Sequence, residues 1–198
     1  MLRHAARALP VPVLGAAAPV VALLLWMLDR WPWMAWPAAG IAAALVGAAA
    51  ARLFDEPAAA IVDTLPRALW WRTTARLGPA CLLVAGWLAA ASLVDLDGAG
   101  RPAFVRLQGV VTVLCAAAWT TWLRRRGRAR PGSAVAAGLL LVLSSLALRN
   151  PLERFVPLYP YGPDPEPWRT AYFLWGAAGA VAAVLLVLAA LPRGRRFR

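Results

Sequence analysis

The chain has 198 residues, 62% of them apolar, with a mean hydropathy of +0.63, which excludes an ordinary soluble domain and points to the bilayer. All 21 basic residues are arginine, and against nine acids they leave a net charge of +12. Arginines flanking apolar stretches suit anionic headgroups and membrane topology better than nucleic acid, so no nucleic-acid partner is expected.

From the N-terminus, "MLRHAARALPVPVLGAAAPVVALLLWMLDRW" carries a basic start and about twenty apolar residues without a small-residue cleavage site before Asp29. It is expected to be a retained first span. Six stretches are apolar enough to cross a bilayer: 9–28, 34–53, 77–94, 103–123, 132–148 and 170–191. The predicted fold class is an all-α integral membrane protein of six transmembrane helices, forming a single domain over 1–198.

Sidedness follows from the arginines. With the N-terminus inside, Arg3, Arg7, Arg52, Arg67, Arg72, Arg76, Arg124, Arg125, Arg126, Arg128, Arg130, Arg193, Arg195, Arg196 and Arg198 are cytoplasmic. Only Arg30, Arg101, Arg106, Arg149, Arg154 and Arg169 face the other side. Fifteen against six satisfies the positive-inside rule, so a multi-pass plasma-membrane protein with both termini cytoplasmic is expected. Trp26, Trp31, Trp33, Trp36, Trp119, Trp122, Trp168 and Trp175 sit near span ends and read as an interfacial belt. Cys81 and Cys115 lie inside apolar runs and read as packing residues rather than a disulfide.

Catalytic equipment is sparse. With no lysine the chain cannot carry a P-loop, and its single histidine, His4, is in the basic tail. No His/Cys/Asp/Glu cluster has metal-ligand spacing, and Ser133 in "PGSA" reads as a helix-starting serine. The expectation is a non-enzyme without cofactor or metal. Charges are nearly missing from the span centres, which argues against a self-powered ion-coupled transporter.

Between the second and third spans runs "FDEPAAAIVDTLPRALWWRTTARL". Asp55 and Glu56 suit the cap of a helix beginning near Pro57, and Asp63 or Thr64 suits a second cap before Leu65 and Pro66. The second piece continues through Arg67, Trp70, Trp71 and Arg72 toward the third span. From the residues alone, this is either a membrane-surface connector or a docking surface.

Together with six spans and cytoplasmic termini, this stretch resembles the permease subunits of ABC-2-type (type V exporter-like) transporters, in particular the compact permease-like proteins of actinobacteria. The resemblance implies that segment 54–76 is a coupling helix. Asp55, Glu56, Asp63, Thr64, Leu65, Pro66, Arg67, Trp70, Trp71 and Arg72 would then meet an ABC-type ATP-binding subunit, which would carry the ATP and Mg. It implies a homodimer or a pairing with a related permease in the lipid bilayer. The chain departs from the family pattern at Val62-Asp63, where a glycine is common. A non-transporting scaffold or regulatory subunit is the alternative.

A second matching feature is the extracellular segment 149–169, "RNPLERFVPLYPYGPDPEPWRT". It is expected either to hold a short re-entrant or surface helix capped by Asn150, with "PYGPDPEP" as a proline-locked return, or to be an ordinary extracellular loop.

Overall fold

The computed structural model describes residues 11–31, 35–55, 69–94, 101–151, 153, 155–160, 162 and 164–191. Within them are six helices: α1 (Val11–Arg30), α2 (Ala35–Leu53), α3 (Leu69–Leu93), α4 (Pro102–Arg125), α5 (Gly132–Leu148) and α6 (Pro165–Ala190). Three are long and apolar enough to cross a membrane: Thr73–Leu93 within α3, and the whole of α4 and α6. Pro37–Leu53 and Gly132–Leu148 are shorter apolar helices. At 1.5 Å per residue, a 17-residue helix reaches about 25 Å, near the lower limit for a span.

The helices alternate in direction. At one end, Leu28 of α1 packs with Ala38 and Ala39 of α2, Val94 after α3, and Val105 of α4. At the other, Leu14 of α1 and Leu53 of α2 line one cavity. Also at that end, Arg52 of α2 meets Ser133 of α5, and Arg125 of α4 donates to the Leu188 carbonyl of α6. The start of α1 and the end of α6 therefore share an end of the bundle.

α2 and α4 form the centre. α2 is mostly Ala and Gly, and its side chains from Ala38 to Leu53 are nearly all buried. A narrow helix lets neighbouring backbones approach closely, so packing replaces the water-driven burial that lipid does not supply. The Thr112 hydroxyl of α4 shares its proton between the Ala43 carbonyl of α2 at 3.0 Å and its own Gly109 carbonyl at 2.9 Å. In the best membrane-spanning window of α4, 61% of residues are buried, against 17% for α3 and 22% for α6, which marks those two as outer helices.

α3 is fastened to α4 through one close approach. The Trp87 indole lies where a Gly109 side chain would be and donates from Nε1 to the Arg106 carbonyl at 3.2 Å. α4 ends in a Schellman turn. Gly127 has φ of +91°, its amide bonds the Arg124 carbonyl at 2.9 Å, and the Arg128 amide bonds the Leu123 carbonyl at 3.1 Å. That turn folds the chain directly into α5.

Several sequence expectations need correction. α3 runs from Leu69 through Arg72 and Arg76, so the helix extends beyond the apolar stretch that starts at 77. α6 begins at Pro165, with Glu166 in its first turn, so the last three residues of the return "PYGPDPEP" are helical. The described residues from 149 to 160 form turns and bends, not a helix. Asn150 there donates from Nδ2 to the Val156 carbonyl at 2.8 Å. Cys81 and Cys115 are both free, and Cys81 is exposed rather than packed.

Candidate partner-docking site

Of the predicted docking residues, Asp55 is described with its side chain. Trp70, Trp71 and Arg72 lie in the first turn of α3, and their side chains are outside the described residues. Glu56, Asp63, Thr64, Leu65, Pro66 and Arg67 also lie outside the described residues.

Asp55 follows the end of α2, and its carboxylate is divided. Oδ1 accepts from the Gly132 amide at 2.6 Å, and Oδ2 faces the Arg52 guanidinium at 3.3 Å. Gly132 is the first residue of α5, so Asp55 supplies an acceptor and a negative charge to the N-terminus of a helix distant in sequence. A side chain at Gly132 would stand 2.6 Å from the Asp55 carboxyl carbon, and only glycine leaves that approach open. The carboxylate is therefore committed to α5.

Arg52 also donates to the Ser133 hydroxyl. On the other shoulder, Arg76 of α3 donates to the Leu53 carbonyl at 2.9 Å and to the Asp55 carbonyl. The Leu53 carbonyl ends α2 and the Asp55 carbonyl lies just past it, where a cation complements the negative end of the helix. Arg52, Asp55 and Arg76 thus join α2, α3 and α5 beneath the segment. Arg124, Arg125, Arg126, Arg128 and Arg130 occupy the same end, and Arg126 stacks over the Trp122 ring at 3.8 Å.

At the opposite end, one cleft is acidic and aromatic. Glu153, Asp164 and Glu166 line an open cavity of about 670 Å³ with Phe155, Pro160 and Thr170. Beneath it, Tyr159 is buried against Gly40 of α2 and 6.1 Å from the Trp175 ring. The Trp175 indole donates to the Leu158 carbonyl, and the Trp168 indole donates to the Gly162 carbonyl, each at 3.0 Å. These two tryptophans are buried clasps holding the α5–α6 connection, not belt anchors. Trp26, Trp31 and Trp119 do face outward. Burial pushes the Tyr159 phenol well above its ordinary pKa, and its oxygen has no partner among the described residues.

Comparison with models of known protein families, with curated proteins and with solved structures gave no match to this chain.

Sequence reasoning missed two features. One is the polar content of the core on α4: Gln108, Thr112, Thr120 and Thr121 are all fully buried. The other is the Trp87–Gly109 contact. Among the described residues no group of three or more His, Cys, Asp or Glu is placed to hold a metal.

Proposed function

We propose that this chain is the transmembrane permease subunit of an ATP-driven exporter, spanning the plasma membrane six times with both termini cytoplasmic. A separate ABC-type ATP-binding subunit docks beneath it. The carrying observation is the junction of Arg52, Asp55 and Arg76, which ties both shoulders of segment 56–68 to α2, α3 and α5. A displacement of that segment by a partner reaches three helices through short contacts. The basic character of this end agrees with a cytoplasmic position. ATP binding shifts the bundle only insofar as the ATP-bound partner contacts one of its states better than the other.

The filled interior around α4 favours a second reading, a scaffold or regulatory subunit of a membrane complex. Two apolar clefts lie between the helices around α1.

The two readings separate on the docking segment. Arg67→Glu with Arg72→Glu is expected to abolish co-purification with the ATP-binding subunit while membrane insertion is unchanged. Undiminished co-purification would count against the docking role.

A further inference from the structure

At its basic end α4 carries a column of three side chains on one face, Trp119, Trp122 and Arg126, spaced as neighbours on a helix surface. The Trp119 and Trp122 rings stand 5.8 Å apart, and the Arg126 guanidinium lies 3.8 Å from the centre of the Trp122 ring. Trp119 is 54% exposed and Arg126 is exposed, so the column lies on the outside of the bundle. Arg125, beside it in sequence, is turned to the Leu188 carbonyl of α6 instead. The backbone under the guanidinium is held in place. The Arg126 amide bonds the Trp122 and Leu123 carbonyls at 3.1 Å, and the chain then reverses through Gly127.

Depth and charge together define what this column meets. α4 has 24 residues. That is about 36 Å of helix against an apolar bilayer core of about 30 Å, so its last turn stands in the headgroup layer. Exposed tryptophans belong at that boundary. From Trp119 to Arg126 the column climbs about 10 Å, which carries the guanidinium from the ring belt to the phosphates. Stacking occupies the π face of the guanidinium and leaves its in-plane N–H groups as a fork that matches two phosphate oxygens. Among the described residues neither Arg126 nor Arg128 is ion-paired with an acid.

We propose that the Trp119–Trp122–Arg126 column is a binding site for the headgroup of an anionic phospholipid, with the phosphodiester in the Arg126 fork and the upper acyl segments against the tryptophan rings. An acidic protein surface would match the charge but not the exposed apolar ring deeper in the same column. Net charge separates an anionic lipid from a zwitterionic one, whose own cation opposes the guanidinium. The preference is about fivefold for one well-placed arginine.

The test uses the full chain reconstituted in nanodiscs with equal phosphatidylglycerol and phosphatidylcholine of identical acyl chains, released into mild detergent and weighed by native mass spectrometry. The wild-type protein is expected to retain phosphatidylglycerol, enriched about fivefold or more over phosphatidylcholine. Arg126→Lys keeps the charge at an exposed position but loses the planar fork, and should remove most of that enrichment. Trp122→Leu removes the ring beneath the guanidinium and should do the same. Arg128→Lys, two residues on and outside the stack, should leave the enrichment unchanged. Retention of the two lipids at their bulk ratio by the wild type would overturn the proposal and leave the column to an acidic protein partner. Undiminished enrichment in Arg126→Lys, or equal losses in Arg126→Lys and Arg128→Lys, would overturn it by showing diffuse attraction to the basic turn.

Discussion

The Asp55 carboxylate accepts the Gly132 amide at 2.6 Å, so the turn leaving α2 caps a helix that begins 77 residues later. This contact fixes the spacing of α2 and α5 at the basic end, and Arg52 secures it from the side by bonding both Asp55 and Ser133. The same turn offers its backbone carbonyls to Arg76 of α3.

Asp55→Ala should therefore act as a lost helix cap and lower stability by about 1 kcal/mol. Asp55→Asn retains an acceptor for the Gly132 amide and should cost less. Thermal unfolding in detergent, followed by far-ultraviolet circular dichroism, ranks the two. Equal melting temperatures for wild type and Asp55→Ala would show that the cap contributes nothing.

Gly109→Ala places a methyl where the Trp87 indole lies, and overpacking of this kind costs about 1–3 kcal/mol. The expected result is a lower melting temperature, with partial recovery when Trp87→Leu is added. Additive losses in the double variant would mean that the two residues do not meet.

Tyr159→Phe removes a buried hydroxyl that has no partner among the described residues, so it should leave stability at neutral pH unchanged or slightly raised. The alkaline limb follows from the direction of the pKa shift. A phenol whose folded pKa lies above its unfolded value of about 10 contributes stability fully below pH 10, and that contribution falls as pH rises toward the folded pKa. Melting temperatures at pH 9 and pH 11 should diverge more for the wild type than for Tyr159→Phe.

Hydropathy made the apolar helices legible. α5 occupies 132–148 as expected, and α2 begins within one residue of its expected start, because an uninterrupted Ala/Leu/Val run shows where burial or lipid begins and ends. Hydropathy alone does not show helix where helix and apolarity part company, at Arg72 and Arg76 in α3, where the Asp63–Pro66 cap signals had to supply it, and at Glu166 in α6. Interhelical partners were less legible still. Asp55 looked like a cap for the residues just after it, and nothing local to it points to Gly132. Trp168 and Trp175 were indistinguishable in sequence from Trp26, yet they bond loop carbonyls and are buried. Of the docking segment, the shoulders at Asp55 and Arg76 are the parts whose contacts the structure describes.

The side of the membrane on which that segment lies decides the account. A single cysteine at Ala59, in a chain with Cys81→Ala and Cys115→Ala, can be probed with a membrane-impermeant maleimide in intact cells and in inverted vesicles. Labelling in inverted vesicles alone is the result expected for a segment driven by a cytoplasmic ATPase. Labelling in intact cells would contradict it.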